Sequence, residues 1–317
     1  MARIVYSPRY NIGLFGLERL HPFDSRKYGR AWKVIKREFG PRLKPLHVRP
    51  KRPANRAELQ LVHTPAYLEQ LRDSKYLAAA LEVPPVRRLP WSVIDWCVLR
   101  PMRWATRGTI LAAEACLESG LAINLSGGYH HAKPEVGEGF CIYSDIAIAI
   151  ASLRQSGKLQ PNERVIYVDL DAHQGNGVCH AFLVDSRVFI FDMFNRSIYP
   201  LLDFEAKERI DCKIELPSKC DDDLYLGKLR ELLPEFLDSV TREPVGLAIY
   251  NAGTDIYKDD PLGNMDVSAM GVRERDMFVV KELRSREIPT VMLLSGGYTR
   301  QSYQLVADSV VRLLDEY

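Results

Sequence analysis

Apolar positions occur along this chain in two patterns, as short uninterrupted runs and as longer segments with helical periodicity. The short runs are typical of strands that are buried on both faces, as in a parallel sheet. We therefore expect strands at 121–126, 164–170, 187–192, 245–250 and 290–295.

Helical patterns fill segments between these strands. Residues 106–119 predict a helix that ends at Gly120, and the acidic residues 221–223 predict the start of another, in which Pro234 predicts a kink or a break. Strand and helix patterns alternate without a repeat or a change of composition. The chain is therefore expected to be α/β, a single domain over residues 1–317 with three layers, α/β/α, and a mostly parallel central sheet.

Composition changes this picture little but excludes several classes of protein. The 43 Lys and Arg residues nearly balance the 41 Asp and Glu residues, so the formal charge of +2 gives no reason to expect nucleic acid as a partner. The six cysteines form no CxxC pair and are interpreted as reduced thiols. There is no run of 18 apolar residues and no secretory signal pattern, so we expect no membrane span and a cytoplasmic protein, or a nuclear one in a eukaryote.

Polar signatures follow four of the five predicted strands, at the ends where ligands bind in doubly wound folds. Asp169, Asp171 and His173 follow one strand, and Asp255 follows another. Capping of the next turn is one explanation of the first two aspartates. The other is a metal site: Asp171, His173 and Asp255 would leave one tetrahedral position open, as in catalytic zinc sites, and would also suit Fe²⁺ or Co²⁺.

Two further signatures carry groups that can move protons. A lone histidine after a strand would most simply be structural, but His130 and His131 are adjacent. Hydrolysis at a metal needs a base for water and an acid for the leaving group, so we interpret them as a proton-handling pair oriented by Asp169 and Asn176. Tyr298 either donates a hydrogen bond to a developing oxyanion or only covers the end of the sheet.

These signatures together resemble the arginase/deacetylase superfamily and, within it, the zinc-dependent histone deacetylases. The motifs GGYHHA, GFCIYSD, DLDAHQGNG, NAGTD, DPLG and SGGY occur in that family's order. Residues 4–24 and 191–200 look most like the class IV branch, a single-domain type also found in bacteria. The resemblance implies the arginase/deacetylase fold and a metal-dependent amidohydrolase that removes acyl groups from lysine side chains through a metal-activated water.

The resemblance also implies a role for individual residues. Asp171, His173 and Asp255 match the family's Zn²⁺ ligands, and Tyr298 matches its transition-state tyrosine. His130 matches the histidine that is hydrogen-bonded to a buried aspartate, here Asp169. His131 matches the general base and acid, with Asn176 as its partner.

Further residues match the family's substrate channel and its second cation site. The channel is implied to contain Gly139, Phe140, Tyr199 and Gly297. A structural K⁺ is implied near the zinc, surrounded by Asp169, Asp171, His173 and Asp192. His21 matches a loop near the channel entrance, although a loop histidine satisfied by backbone is an equally good interpretation.

Two departures from the family pattern affect the expected chemistry. Asn176 stands where the class I enzymes have an aspartate, and an amide stabilises an imidazolium less than a carboxylate does, so we expect a lower basicity of His131. Residues 83–96 occupy the region of the substrate-clasping loop without an aspartate that can be aligned. The residue that anchors the substrate backbone therefore stays unassigned.

The expected substrate is an acyl-lysine peptide or protein, and the class IV resemblance implies long fatty acyl chains in preference to acetyl. An acetylpolyamine or another small acylated amine is the alternative within the same superfamily. A catalytically silent module that only recognises acyl-lysine is a third hypothesis. The sequence leaves the oligomeric state open.

Overall fold

The apolar runs form the centre of a parallel sheet in the computed structural model, which describes residues 1–14, 16, 18, 22–24 and 26–317. Within that part of the chain the sheet has eight strands, in the order β2-β1-β3-β8-β7-β4-β5-β6, and every pairing between them is parallel. The strands are β1 (Arg3–Val5), β2 (His47–Val48), β3 (Leu121–Asn124), β4 (Arg164–Asp169), β5 (Val188–Asn195), β6 (Cys212–Leu216), β7 (Val245–Asn251) and β8 (Thr290–Leu293).

All five predicted strands are confirmed, and three strands escaped prediction. β1 and β2 are only three and two residues long, too short for an apolar pattern to stand out. β6 lies at the edge of the sheet and alternates buried with exposed residues. Its sequence therefore lacks the continuous apolar run of a central strand.

Helices cover both faces of the sheet. They are α1 (Lys27–Phe39), α2 (Arg56–Leu59), α3 (Pro65–Gln70), α4 (Ser74–Ala80), α5 (Trp91–Ile94), α6 (Arg100–Ser119), α7 (Asp145–Gln155), α8 (Asn176–Ala181), α9 (Phe204–Glu208), α10 (Asp222–Val240), α11 (Ala269–Ser285) and α12 (Ser302–Glu316). Short 3₁₀ turns occupy Pro8–Tyr10, Gly40–Leu43 and Pro84–Arg88, and a π-helical turn occupies Asp95–Leu99.

Two hydrophobic cores result, one on each face of the sheet. Ile166 and Val168 of β4 pack into the core that includes residues of α1, α10, α11 and α12. Val165 and Tyr167, which alternate with them, pack into the core that includes residues of α3, α4, α6 and α7. The structure therefore confirms the three-layer α/β/α fold with a parallel central sheet.

The predicted helix boundaries are largely confirmed. Gly120 ends α6 with a φ of +80°, which favours glycine, and Asp221 caps α10 by accepting a hydrogen bond from the Leu224 N–H at 3.1 Å. A break at Pro234 is the part that was wrong, because α10 runs unbroken through it. Leu229, Leu233 and other buried side chains hold the helix on both sides. Burying each such side chain stabilises the fold by about 2 kcal/mol, and together they offset the roughly 3 kcal/mol by which a proline destabilises a helix interior.

Strand order brings the polar signatures together. β3, β8, β7 and β4 are consecutive neighbours, and their carboxyl ends lie at one edge of the sheet because all four are parallel. The loops that follow them carry His130 and His131, Tyr298, Asp255, and Asp171 with His173. Residues distant in sequence are thereby placed in one site.

Two other expectations concern the whole chain. Among the described helices, none combines the length and the apolarity that a membrane crossing requires. The six cysteines are all free thiols, as expected from their spacing.

Candidate active site

Three buried side chains converge at the carboxyl ends of β4 and β7. The Nδ1 atom of His173 lies 3.0 Å from Asp171 Oδ1 and 3.0 Å from Asp255 Oδ2. Each residue offers one ligand atom, and these atoms lie within 4.8 Å of one another. The three side chains could therefore hold one metal ion.

The backbone positions these ligands through a turn, because β4 ends at Asp169. Asp169 Oδ1 accepts a hydrogen bond from the Asp171 N–H at 3.1 Å, and Asp171 Oδ1 accepts one from the His173 N–H at 3.0 Å. Both aspartates thus do stabilise the turn, as the capping explanation required. The second oxygen of each aspartate makes a contact outside the turn, so stabilising the turn is not their only role.

The electrostatics of this group fit a cation. Burial and the neighbouring charge of Asp171 raise the pKa of Asp255 to about 7. Burial lowers the pKa of His173, but its hydrogen bonds to Asp171 and Asp255 and their charges outweigh that effect and raise the pKa to about 10. Two carboxylates this close attract a proton strongly, and a divalent cation would neutralise the same charge. One imidazole and two carboxylates suit Zn²⁺, Fe²⁺ or Co²⁺.

A second group of buried oxygens lies beside the first. Asp169 on β4 is the register partner of Asp192 on β5. Burial, followed by the charge of Asp169, raises the pKa of Asp192 well above its usual range. Asp192 Oδ1 is buried and accepts no hydrogen bond from the described residues. This oxygen could take part in the predicted K⁺ site.

The two adjacent histidines lie beside the metal-binding group, and the centroids of their two rings are 4.0 Å apart. His130 Nδ1 lies 2.8 Å from Asp169 Oδ2, and His131 Nδ1 lies 2.8 Å from Asn176 Oδ1. Burial lowers the pKa of His130, but the charges of Asp169 and Asp171 raise it to about 9. Burial, together with positive charge on His130 and His173, holds the pKa of His131 well below 6.5. His131 is therefore the neutral histidine of the pair.

A cavity leads from these histidines, and two of the four predicted channel residues line it, as does Tyr298. Gly139, Phe140 and Tyr298 are among its walls, and the rings of Phe140 and Tyr298 have centroids 6.1 Å apart. Gly139 has a φ of +54°, and a Cβ atom there would lie only 2.5 Å from His131 Cδ2. A side chain at this position would therefore displace His131.

The other two predicted channel residues lie around this cavity. Tyr199 contacts His131 edge-on, with centroids 5.0 Å apart, and lines an adjoining open groove. Gly297 has a φ of +124°, and its neighbour Gly296 lines the cavity. The expectation that Phe140 and Tyr199 form opposite walls of one channel stays a prediction. His21 lies outside the described residues.

Beyond the histidines the cavity is mainly apolar. Part of its wall comes from Leu81 at the end of α4 and from Val83 and Val86, at the start of the loop for which the sequence offered no anchoring residue. Leu14, Val98 and Met102 add to the same wall. The cavity thus has a polar end at the catalytic candidates and an apolar recess.

Comparisons with known proteins agree with this fold. The histone deacetylase domain model matches residues 21–314. The chain belongs to the histone deacetylase family. Histone deacetylase 2 of Arabidopsis thaliana is 43% identical over 312 residues, which cover 98% of this chain and 78% of that protein. The fold expected for the arginase/deacetylase superfamily is therefore confirmed. The chain is a hydrolase of the histone deacetylase family.

Solved structures support the fold independently of close sequence similarity. The crystal structure of the HDA15 HD domain has a TM-score of 0.76 at 19% identity, covering 99% of this chain and 89% of the other. An HDAC homologue complexed with SAHA has a TM-score of 0.74 at 22% identity, covering 99% and 83%. At these identities the similarity concerns the fold alone, and assignment to class IV stays a prediction.

Two buried side chains that the sequence analysis did not connect with Tyr298 hold the loop that carries it. The buried Lys27 donates from Nζ to the carbonyl oxygens of Ser295 and Gly296, each at 2.7 Å. Asp260 Oδ2 accepts a hydrogen bond from the Tyr298 N–H at 2.7 Å, while its Oδ1 accepts from the turn that follows it. Lysine in an N-terminal segment carries no local signal of this contact, since its partners are 268 and 269 residues away in the sequence.

Arg275 and Asp145, which the sequence analysis also missed, hold the loops that carry the metal-binding group and the histidine pair. The guanidinium of Arg275, which is fully buried, donates to the carbonyl oxygens of Leu170 and Gly253 and so joins the ends of β4 and β7. Asp145 accepts hydrogen bonds from the N–H groups of Gly128 and Tyr129, just before the histidine pair. GFCIYSD ends in this aspartate, so the motif contained a signal for it.

Lys27 gives a testable pH dependence. Burial lowers its pKa from 10.5 to about 8, although the charges of Asp255, Asp171 and Asp260 act in the opposite direction. The unfolded chain therefore binds more protons than the folded protein between about pH 8 and 10.5. In this window the free energy of unfolding gains up to about 1.4 kcal/mol for each pH unit, and the gain is lost as the pH falls to about 8.

Urea unfolding of the wild type and of Lys27→Met from pH 7 to 10 tests this. The difference in unfolding free energy between the two should grow in favour of the wild type as the pH rises. Lys33→Met, an exposed lysine on the same helix, is the control and should show no such trend. Equal pH slopes for the wild type and Lys27→Met would contradict the assignment.

Proposed function

We propose that this protein is a metal-dependent lysine deacylase. His130, His131 and Tyr298 line the polar end of one cavity. They lie beside the buried group of Asp171, His173 and Asp255, and this arrangement is the observation on which the proposal depends. Family membership supports hydrolysis of acylated lysine. A silent binding module would have no need for this complete set of proton-transfer and metal-binding groups.

The metal is proposed to be Zn²⁺, with Fe²⁺ or Co²⁺ as possible replacements, held by Asp171, His173 and Asp255. When bound, such an ion supplies Lewis-acid polarisation of the amide carbonyl and makes water more acidic. K⁺ is proposed at the adjoining oxygens, near Asp169 and Asp192 and the turn that carries Asp171 and His173.

Proton transfer is assigned to His131. Its Nδ1–H donates to Asn176 Oδ1, which leaves the lone pair of Nε2 free to take a proton from water. Its low pKa keeps it neutral before the reaction. After attack on the carbonyl carbon, the same nitrogen returns the proton to the departing lysine amine. His130, hydrogen-bonded to Asp169, holds positive charge beside the site.

Tyr298 is assigned to the oxyanion. Burial, together with the charges of Asp171 and Asp255, raises the pKa of its phenol well above 10, so the hydroxyl stays protonated and can donate. A donor aimed at developing negative charge typically contributes about 3 kcal/mol, or a factor on the order of 100 in turnover.

Tyr298→Phe should therefore lower kcat for an acyl-lysine peptide on the order of 100-fold, with unchanged metal content. Tyr303→Phe, on α12, is the matched control and should leave kcat unchanged. Kinetics and elemental analysis of the three purified proteins measure both quantities. Full turnover by Tyr298→Phe would remove the tyrosine from the mechanism.

The substrate is proposed to be a long-chain acyl-lysine in preference to acetyl-lysine. The apolar recess formed by residues such as Leu81, Val86 and Met102 supports this choice, since it can cover methylene groups. Each methylene that becomes buried contributes about 0.8 kcal/mol, which is roughly fourfold in kcat/KM. An acetylated polyamine, the alternative substrate, would bring charge into a mainly apolar site.

A panel of lysine peptides from acetyl to myristoyl, run beside acetylated polyamines, tests the preference. We expect kcat/KM to rise with chain length, and Met102→Trp to lower it for myristoyl by about tenfold or more while changing acetyl little. Met270→Trp, an exposed site, is the control. A preference for acetylated polyamines would instead favour the alternative.

A further inference from the structure

The side-chain amide of Asn176 lies between the catalytic candidate His131 and two carboxylates. Its Oδ1 faces His131 Nδ1 at 2.8 Å. Its Nδ2 donates to Glu138 Oε1 at 2.6 Å and to Asp203 Oδ2 at 3.0 Å. Asn176 is 1% exposed, so these contacts use its hydrogen-bonding groups away from bulk water.

The two carboxylates fix which way the amide points. An ionised carboxylate only accepts hydrogen bonds, so the NH₂ group must face Glu138 and Asp203. Rotation of the amide would place its oxygen against two negative charges and its NH₂ group against His131. The oxygen therefore faces His131, which must carry its proton on Nδ1 and leave Nε2 as the base.

Other side chains hold both carboxylates in place and keep Asp203 ionised. Lys133 Nζ lies 2.9 Å from Asp203 Oδ2 and 3.1 Å from Glu138 Oε1. His180 Nε2 lies 2.9 Å from Asp203 Oδ1. Burial raises the pKa of Asp203, but hydrogen bonds from Lys133, Asn176 and His180 outweigh it and hold that pKa well below its usual range.

The Tyr199 hydroxyl also interacts with Asn176 and Glu138. A hydroxyl both donates and accepts, so it can adapt to either orientation of the amide. It therefore does not decide which way Asn176 points. The carboxylates, which cannot donate, are the groups that do.

We propose that Glu138 and Asp203 are positioning residues that orient the amide of Asn176 and thereby set the tautomer of His131. The inference rests on the proposed function of His131 as the base. It also gives a reason why an asparagine can stand where the class I enzymes have an aspartate. The negative charge is carried by Glu138 and Asp203, which are separated from His131 by the amide of Asn176.

The test compares Asn176→Asp in two backgrounds. In the wild type this change adds a third carboxylate beside Glu138 and Asp203, and kcat should fall about tenfold. In the Glu138→Gln/Asp203→Asn protein, where neutral amides can donate to the new carboxylate, the same change should raise kcat at least about fivefold. KM should change less than about twofold throughout.

A spectroscopic readout separates this inference from the proposed function. In metal-free protein with ¹⁵N-labelled histidine, His131, assigned from a His131→Gln spectrum, should carry its proton on Nδ1 in the wild type and become a mixture of tautomers in Glu138→Gln/Asp203→Asn. Glu205→Gln, which neutralises an exposed carboxylate 3.8 Å from His180, is the control and should leave the tautomer unchanged. If the wild type hydrolyses no acyl-lysine, the proposed function fails while this measurement still stands.

Two results would overturn the inference. One is an unchanged His131 tautomer in a folded Glu138→Gln/Asp203→Asn protein, with folding checked by thermal unfolding. The other is an Asn176→Asp substitution that changes kcat by the same factor in both backgrounds, because the carboxylates would then have no influence on the group that contacts His131.

Discussion

Negative charge buried at one edge of the sheet is the constraint on which the site depends. Asp169, Asp171, Asp192 and Asp255 are each 0% exposed. Asp169 ends β4, Asp171 and Asp255 follow β4 and β7, and Asp192 within β5 is the register partner of Asp169. Each buried ion costs several kcal/mol unless it is compensated. The fold supplies part of the compensation through backbone N–H groups and His130, and we propose that a bound cation supplies the remainder.

The side chains that hold the surrounding loops are also arranged around these buried acids. Lys27 and Arg275 bring positive charge to the loops that carry the acids, but both donate to backbone carbonyls there and not to the acids of the site. Asp260 and Asp145 do the reverse, accepting hydrogen bonds from backbone N–H groups beside Tyr298 and His130. Each loop is thus held by a buried polar side chain, which gives rigidity to groups that must be accurately placed for catalysis.

The five central strands and the three-layer fold were predictable because buried strands leave continuous apolar runs. The candidate site residues could be named because their motifs follow those strands. Strand order was not predictable from those patterns, since only pairing shows that β8 and β7 lie between β3 and β4. Lys27, Arg275, Asp203 and Glu138 were missed for a related reason. Their roles depend on partners that only tertiary folding brings close, and a charged residue in a polar segment looks like any solvated one.

We propose that Asp171, Asp255 and His173 together form a cation site. A crystal structure of the metal-loaded protein, with anomalous scattering recorded at the zinc absorption edge, tests it directly. We expect a single zinc peak bound by Asp171 and Asp255 oxygens and by His173 Nδ1. A fully loaded crystal with no peak there, or with zinc bound by other residues, would contradict it.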